Sequence, residues 1–337
     1  MGPVTRVSVV IPTYNRLPRL RRVIAALEHQ TFPTAQFEVI VVSDGSTDGT
    51  DRVLEQLQTP LDLVVSTQRN QGPAAARNEG VRLATGDLLL FLDDDVIPGP
   101  RLVEQHAGAH RRHDADIVVI GPMLTPSDHR LSAPVRWEQA MLYKQYDALR
   151  DGVFEPTYRQ FYTGNASLRP ALLARAGGFN ERFRRAEDIE LAYRLARAGA
   201  QFFFDEEAVG FHYAERTFRS WLRNAREYGR NDVAFARECG QAGLLLDLRF
   251  EFSQRHTLIR GMTWASCSSA WVRVLLEFPV RCFAASANAV GIEPASRTAL
   301  SALYNIAYYG GVADALGGRA AFTEVFDPRR SPVTAVI

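Results

Sequence analysis

The sequence predicts an α/β protein with a largely parallel sheet, and two patterns support this fold class. In the first part of the chain, short runs of valine, isoleucine and leucine alternate with segments of helical periodicity. These apolar runs are nearly continuous, which is typical of strands covered on both faces. We expect strands at residues 7–11, 37–43, 61–66 and 88–92, and helices at residues 18–29, 48–57 and 73–84.

Polar or acidic residues follow each of the four predicted strands. Pro12 to Asn15 follow the first strand, Asp44 the second, residues 69–78 the third, and Asp93 to Asp95 the fourth. Each cluster alone is also compatible with a turn or a helix cap. Because the carboxyl ends of parallel strands share one edge of a sheet, the four clusters together predict a single ligand site.

The acidic triplet at residues 93–95 predicts a cation site. Three adjacent carboxylates repel one another unless a cation or cationic side chains lie nearby. In an extended chain, Asp93 and Asp95 point to the same side and can share one ion. Oxygen ligands suit Mg²⁺ or Mn²⁺, with water and diphosphate oxygens completing the shell. The alternative is an exposed acidic turn.

Composition excludes several classes of protein. The 337 residues include 39 Lys+Arg and 38 Asp+Glu, a net charge of +1, so we expect no nucleic-acid partner. The three cysteines are far apart, which argues against a zinc site or a disulfide framework. The longest charge-free run, residues 298–313, is shorter than the roughly 20 residues that a membrane-spanning helix needs. We expect a cytoplasmic protein, peripheral at most at the inner face of a membrane.

Four motifs in this order resemble those of glycosyltransferase family 2 over about residues 5–235. The motifs are Val9-Val10-Ile11-Pro12-Thr13-Tyr14-Asn15, Val41-Val42-Ser43-Asp44-Gly45-Ser46-Thr47-Asp48, Asn70-x-Gly-x-x-x-Ala-Arg77-Asn78-x-Gly80 and Leu92-Asp93-Asp94-Asp95. The resemblance implies the GT-A fold, a Rossmann-like nucleotide-binding sheet with a mixed acceptor-side extension. It also implies inverting transfer from a nucleotide sugar, most commonly a UDP-sugar, to a hydroxyl of a glycan, lipid-linked or small-molecule acceptor. We expect a catalytic domain at residues 1–238, with a nucleotide-binding half at 1–100 and an acceptor half at 101–238, and a helical region at 239–337.

The resemblance also assigns roles to individual residues. The nucleotide-binding positions are Pro12, Thr13, Tyr14, Asn15, Asp44, Gly72, Arg77, Asp93 and Asp94. Asp95 and Asp93 would hold Mn²⁺ or Mg²⁺, with His212 as a further contact. Gly164 and Asn165 would line the acceptor cleft. Asp188, beside Glu187, would be the general base.

The Glu187-Asp188 pair lies where a helical pattern begins. A carboxylate at a helix N-terminus is kept ionised, as a base facing a hydroxyl requires. Taken without the resemblance, the pair is better explained as ordinary charge pairing at a helix start. Some relatives place a third metal or diphosphate contact near the position of His212, but a single histidine is often structural.

Arginines recur on one face of the helix predicted after residue 215. They are Arg216, Arg219, Arg223, Arg226 and Arg230, with Glu215 and Glu227 nearby in the sequence. A solvated face is the simpler interpretation. Alternatively, five like charges on one stripe repel one another and favour an anionic partner. On that hypothesis the stripe, with Arg219 and Arg223 in the acceptor cleft, meets an anionic acceptor, such as a lipid diphosphate, or an anionic membrane surface. The apolar C-terminal helices would cover the catalytic domain, contact a membrane, or pair two copies in a homodimer.

Other classes fit the sequence less well. A catalytically inactive nucleotide- or glycan-binding scaffold would need no base at Asp188. A haloacid-type phosphatase carries its Asp-x-Asp after the first strand and needs a downstream lysine, whereas this motif follows the fourth strand and Lys144 is the only lysine. A nucleotidyltransferase needs a glycine-rich loop after the first strand, and a dehydrogenase needs G-x-G-x-x-G; the sequence has neither.

Overall fold

The computed structural model describes residues 6–113, 116–241, 243–267 and 270–327. The chain divides into two units. The first comprises the residues up to Arg130 together with Gln139–Ala214. The second comprises Leu131–Glu138 and the chain from Glu215 onward.

A twisted sheet of mostly parallel strands forms the centre of the first unit. Its strands, with three short ones that form a separate sheet, are β1 (Val7–Thr13), β2 (Phe37–Asp44), β3 (Asp62–Gln68), β4 (Leu88–Leu92), β5 (Val96–Pro98), β6 (Ile117–Ile120), β7 (Met123–Leu124), β8 (Asn165–Leu168), β9 (Gln201–Phe204) and β10 (Gly210–His212). The described strands of the large sheet run in the order β3-β2-β1-β4-β8-β6-β9. The strands β1 to β4 are mutually parallel, whereas β8 is antiparallel to both neighbours. The predicted α/β class and its mixed extension are therefore confirmed.

Helices cover both faces of this sheet. They are α1 (Leu17–Leu27), α2 (Thr50–Glu55), α3 (Pro73–Leu83), α4 (Leu102–Arg112), α5 (Ala133–Arg150, whose first turns belong to the second unit), α6 (Pro170–Ala176) and α7 (Glu187–Arg197). Along β1, Val9 and Ile11 pack toward α1 and α4, and Val10 packs toward α3. Because both faces of the central strands are buried, β4 is apolar throughout, and β1 and β2 are apolar along most of their length.

The predicted bounds of the first seven elements agree with the structure to within about two residues at each end. The strand β1 continues to Thr13, beyond the predicted end at residue 11. The helix predicted over residues 48–57 is shorter, because the Asp48 carboxylate accepts hydrogen bonds from the backbone N–H groups of Leu17 and Thr50. Asp48 therefore lies before the helix, where an acceptor side chain is favoured.

A small sheet follows the acidic triplet directly. It consists of β5, β10 and β7 in that order. His212 on β10 pairs with Val96 on β5, the residue that follows Asp95. Chain positions more than a hundred residues apart are thereby brought beside the end of β4.

The second unit is helical, as predicted for the C-terminal region. Its helices from residue 215 onward are α8 (Phe218–Glu238), α9 (Leu244–Ser253), α10 (Thr257–Ser266), α11 (Ala270–Ala289), α12 (Glu293–Leu316) and α13 (Arg319–Phe326). The boundary expected after residue 238 differs from the observed division after Ala214, because α8 packs on α12. Gly229 on α8 lies against the Tyr308 carbonyl, and Gly311 on α12 lies against the Arg226 carbonyl.

Candidate active site

The Asp44 carboxylate, at the end of β2, fixes the loop that leads into α3. Its Oδ1 accepts from Gln68 Nε2 at 2.7 Å and from the Gln71 N–H at 2.8 Å. Its Oδ2 accepts from the Gly72 N–H at 2.8 Å. Gly72 has φ of 100°, a conformation that a residue with a side chain rarely adopts. Asp44 thus positions the start of α3, where backbone N–H groups and the helix dipole favour an anion.

The loop after β1 is held by the loop after β2. Asn15 Oδ1 accepts from the Thr47 N–H at 2.7 Å, and the Asn15 N–H donates to Ser46 Oγ. Asn15 has a left-handed backbone, with φ of 53°, which asparagine tolerates better than most residues. Tyr14 is left 49% exposed beside this loop. Hydrogen bonds of Asn15 therefore join the two loops that carry the predicted nucleotide-binding residues of the first two strands.

The acidic triplet forms a turn, so the expectation of an extended segment there is wrong. Asp94 and Asp95 lie in the turn, and both contact Arg16. Thr13 Oγ1 donates to Asp94 at 2.7 Å. Burial raises the pKa of Asp94 to about 7. Burial alone would also raise the pKa of Asp95, but His212 and Arg16 hold it well below its usual range.

Asp93 faces a different arginine from its two neighbours. Arg77 Nη2 donates to Asp93 Oδ1 at 2.7 Å, and Arg77 Nη1 donates to Glu187 Oε1, also at 2.7 Å. Arg77 is 4% exposed, and its pKa is raised by Asp93 and Glu187 against the opposing effect of burial. Arg77 thus connects the end of β4 to the start of α7, and its contact with a nucleotide stays a prediction.

Asp188 occupies the first turn of α7, next to Glu187. Its pKa is raised to about 7, chiefly by burial and then by the negative charge of Glu187. The sequence argument predicted the opposite direction, because a helix N-terminus favours the ionised form. Burial outweighs that effect here. Ala186, just before the pair, is buried with a left-handed φ of 59°, a strained conformation for alanine.

Gly164 and Asn165 have different surroundings. A Cβ on Gly164 would lie 3.1 Å from Asp93 Oδ2 and 2.8 Å from Met123 Sδ, so glycine permits the close approach to the triplet. The Asn165 side chain is fully buried and donates to the Pro122 and Ala208 carbonyls. Its Oδ1 lies 2.9 Å from His106 Nε2. The prediction that Asn165 lines an acceptor cleft is therefore wrong, because its polar atoms are bonded inside the core.

Two buried histidines, which the sequence analysis did not single out, contact β8 at Asn165 and Ser167. His106 Nδ1 and His110 Nε2 lie 2.8 and 3.0 Å from Ser167 Oγ. Burial lowers the pKa of His106 to about 4 and that of His110 to about 3. In the sequence, their spacing of four residues, which puts both on one face of α4, was the signal that could have identified them. Both rings are neutral parts of the core near physiological pH.

His212 and Asp95 are the two side chains that suit a divalent cation. His212 Nε2 lies 3.6 Å from Asp95 Oδ1, and the buried His212 Nδ1 has no hydrogen-bond partner among the described residues. Within the described chain, no three His, Cys, Asp or Glu side chains converge as a complete metal site. One carboxylate and one imidazole fit an ion that takes its remaining ligands from diphosphate oxygens and water.

Arg16 was not predicted as a functional residue, although it follows the Pro12–Asn15 motif directly. Its guanidinium is paired with Asp94 at 3.0 Å and also with Asp95. A cation or a phosphate that enters here must therefore compete with or replace these ion pairs. Arginine suits both situations, because its planar donors match carboxylates and phosphates alike.

The arginine face of α8 belongs to the second unit. Arg226 and Arg230 each lie 2.9 Å from Asp314 on α12, and Arg216 lies 3.1 Å from Glu138 on α5. The expectation of a self-repelling stripe is therefore wrong for these three, because acids distant in sequence neutralise them. Arg219 and Arg223 are exposed, and neither has an ion-pair partner in the described chain.

Known proteins resemble this chain in sequence and fold. The model of glycosyl transferase family 2 matches residues 8–175. A validoxylamine A glucosyltransferase of Streptomyces hygroscopicus is 36% identical over 230 residues, which are 60% of this chain and 54% of that protein. A hyaluronan synthase of Pasteurella multocida is 30% identical over 61% of this chain and 24% of its own length. The chain thus spans about half of the first relative and a quarter of the second.

Solved structures share the fold. The mannosyltransferase PcManGT of Pyrobaculum calidifontis, solved with GDP-Man and Mn²⁺, has a TM-score of 0.63 at 22% identity, covering 94% of this chain and 90% of that one. Staphylococcus aureus TarS has a TM-score of 0.54 at 20% identity, covering 90% of this chain and 55% of that one. The fold is that of GT-A glycosyltransferases.

Proposed function

Because the chain belongs to glycosyltransferase family 2, we propose that it moves a sugar from a nucleoside diphosphate sugar to an acceptor hydroxyl with inversion. The observation that carries this proposal is the double contact of Arg77. Its guanidinium joins Asp93, at the end of β4, to Glu187, beside Asp188 on α7, at 2.7 Å each. The donor side and the candidate base therefore belong to one buried charge network.

The donor nucleoside would bind at the ends of β1 and β2. Tyr14 offers an exposed ring for stacking, close to Pro12 in the sequence. Asp44 Oδ2, which accepts one hydrogen bond from the Gly72 N–H, can accept another. The N–H groups at the start of α3 suit a diphosphate. We propose a UDP-sugar, the commonest donor that the family resemblance implies. The neighbouring structures hold GDP-Man in one case and UDP in another, so GDP is the first competitor to test.

A divalent cation would be held by Asp95 and His212, and would neutralise charge on the leaving diphosphate. Asp93 is less suited to that role, because Arg77 already neutralises it. Arg16 would turn from Asp94 and Asp95 toward the diphosphate oxygens. The protein would thus supply Arg16 as positive charge for the diphosphate, and Asp95 with His212 as ligands for the cation.

Asp188 would act as the general base. Its carboxylate removes the proton from the acceptor hydroxyl as the oxygen attacks the anomeric carbon, and the nucleoside diphosphate leaves with the electrons of the broken bond. A carboxyl with a pKa raised to about 7 is a stronger base than an ordinary aspartate and is still half-ionised at neutral pH. Glu187 is paired with Arg77, which suits it to position Asp188 rather than to take the proton itself.

The acceptor would approach past Gly164, whose missing side chain leaves space beside Asp93. We propose a hydroxyl of a glycan, of a lipid-linked sugar or of a small molecule. The two relatives reported above act, by their names, on a small molecule and on a polysaccharide. The scaffold and phosphatase alternatives are not favoured.

Donor binding is tested by calorimetry with UDP, GDP, TDP and CDP, each with and without Mn²⁺. We expect one nucleotide to bind with micromolar affinity only when the metal is present, and Asp95→Ala to abolish that binding. Asp151→Asn, an exposed carboxylate of the same unit, is the matched control. If no nucleotide bound in either condition, the proposal would be wrong.

The base is tested by release of nucleoside diphosphate from the sugar donor that binds, with water or a screened alcohol as acceptor. Asp188→Asn should lower kcat by about 10³-fold or more while nucleotide affinity stays within a fewfold. In the wild type, kcat should rise with pH and level off above about 7, because only the ionised carboxyl accepts a proton. An unchanged rate in Asp188→Asn would exclude it as the base.

A further inference from the structure

The outer face of α11 in the second unit is strongly apolar. Trp271 is 81% exposed, and Val274, Leu275, Phe278 and Phe283 each expose more than half of their surface. The first four recur at spacings of three, one and three residues, so they form one helical face. Isolated exposed apolar residues are common, but a contiguous face of this kind indicates a binding surface.

The opposite face of α11 is already used inside the unit. Val280 and Ala284 pack in a cluster with Trp221 of α8 and with Leu300 and Leu303 of α12. The Ser296 hydroxyl donates to the Ala284 carbonyl. The rotation of α11 about its own axis is therefore fixed, and the exposed face cannot turn inward without breaking this packing.

Exposed positive charge borders the apolar face. The exposed Arg281 on α11 holds its guanidinium 4.7 Å from the ring centre of Phe218 on α8. The same helix α8 carries Arg219 and Arg223, both exposed. The only acidic residue in the sequence of α11 is Glu277, which is partly buried. Apolar side chains flanked by arginines, with no exposed acid, have the composition of a helix that lies in a membrane interface.

We propose that this face of α11, together with Arg281 and the exposed Arg219 and Arg223 of α8, docks the second unit on a bilayer of anionic lipid. The helix would lie along the membrane surface, with Trp271, Leu275 and Phe278 inserted among the headgroups and first methylenes. No described helix combines the length and the hydrophobicity needed to cross a bilayer, so contact of this kind would be peripheral. The proposal requires no property of the Asp188 site and goes beyond the proposed transfer reaction.

A second copy of the chain is the competing occupant. Trp271, Leu275, Phe278, Cys282, Ala285 and Ala289 follow the alternating four- and three-residue spacing of helix pairing. Pairing of like faces is disfavoured because it would bring arginines together with no exposed acid on α11 to balance them.

Binding is tested by cosedimentation of the full chain with vesicles of phosphatidylcholine, with and without phosphatidylglycerol. We expect binding to the anionic vesicles that weakens at high salt. Trp271→Ser/Phe278→Ser should lower the partition coefficient by about 100-fold. Arg223→Gln/Arg281→Gln should lower it by roughly fivefold per arginine, for anionic vesicles alone.

Trp271 also supplies a direct optical signal of insertion. Its emission should shift to shorter wavelength on adding anionic vesicles, and Trp271→Ser should remove that shift. The control is Val153→Ser/Phe154→Ser, exposed apolar residues of the first unit, which should bind vesicles as the wild type does. Circular dichroism of every variant shows that it is folded.

Three results would overturn the proposal. One is a wild-type chain that does not bind anionic vesicles, and another is binding unaffected by Trp271→Ser/Phe278→Ser. The third is a dimer in sedimentation equilibrium without lipid that this double variant dissociates, together with absent vesicle binding; the face would then join two copies. Nucleotide binding, measured on the same double variant, should be unchanged, so failure here is distinguishable from failure of the proposed reaction.

Discussion

The two units bury different kinds of side chain. Among the described residues, every buried Asp, Glu, His and Arg lies in the first unit, including Arg77, Asp95 and Glu187. The buried polar residues of the second unit are neutral, such as Asn224 and Asn305, and all four tryptophans of the chain are located there. Burying a charge costs stability unless it is paired. The first unit therefore maintains a costly charge network, whereas the second is stabilised by aromatic packing.

The largest expected loss of stability comes from replacing Arg77, the cation that joins Asp93 and Glu187 in the first unit. Arg77→Met leaves Glu187 and Asp93 without their shared partner, which should destabilise the first unit by about 3–5 kcal/mol. Hydrogen exchange should accelerate in β4 and α7 while α8 and α12 keep their protection. Arg77→Lys keeps the positive charge but not the planar guanidinium, so its stability and exchange rates should lie between those of Arg77→Met and the wild type. Equal acceleration in both units would mean that they unfold as one.

The corresponding test of stability in the second unit concerns the close contact between α8 and α12. A Cβ at Gly229 would lie 2.0 Å from the Tyr308 carbonyl oxygen, so Gly229→Ala should separate α8 from α12 and cost roughly 3 kcal/mol. Tryptophan fluorescence during urea unfolding measures this loss, because all four tryptophans lie in this unit. The matched control is Gly261→Ala on α10, where no atom lies within 4 Å of the new Cβ. It should be neutral or slightly stabilising, and a loss as large as that of Gly229→Ala would contradict the account.

The smallest effect concerns pH and should be confined to the first unit. His106 and His110 have lowered pKa values, so they bind fewer protons in the folded than in the unfolded chain. As the pH is lowered from 7 to 5.5, they therefore decrease the free energy of unfolding. Asp94 and Asp188 have raised pKa values and bind more protons in the folded chain, so they increase it over the same range. In metal-free buffer the two effects should nearly cancel in the wild type.

Asp94→Asn/Asp188→Asn removes the compensating carboxyls. This variant should lose about 2 kcal/mol between pH 7 and 5.5, measured by urea unfolding followed by circular dichroism and by exchange in β8. The second unit should show little change over the same range. A variant with the pH dependence of the wild type would show that the histidines are not held neutral by the fold.

The sequence determined the fold class and the order of the site motifs. Buried strands need apolar side chains on both faces, so β1, β2 and β4 could be read directly, and the polar groups after them had to meet at one edge. The same logic located Asp44 and the acidic triplet, whereas the Glu187-Asp188 pair was found from the start of a helical pattern and from the family resemblance. These conclusions depend on local periodicity and on the general topology of parallel sheets.

The tertiary structure decided which charges meet and what their surroundings do to them. The pairing of Arg77 with Asp93 and Glu187 joins residues far apart in sequence, as do the contacts of Arg226 with Asp314 and of Asn165 with His106. The direction of the Asp188 pKa shift was mispredicted because burial, which no local pattern reports, outweighed the helix terminus. Electrostatic energies depend on distance and dielectric environment, and both are properties of the folded chain.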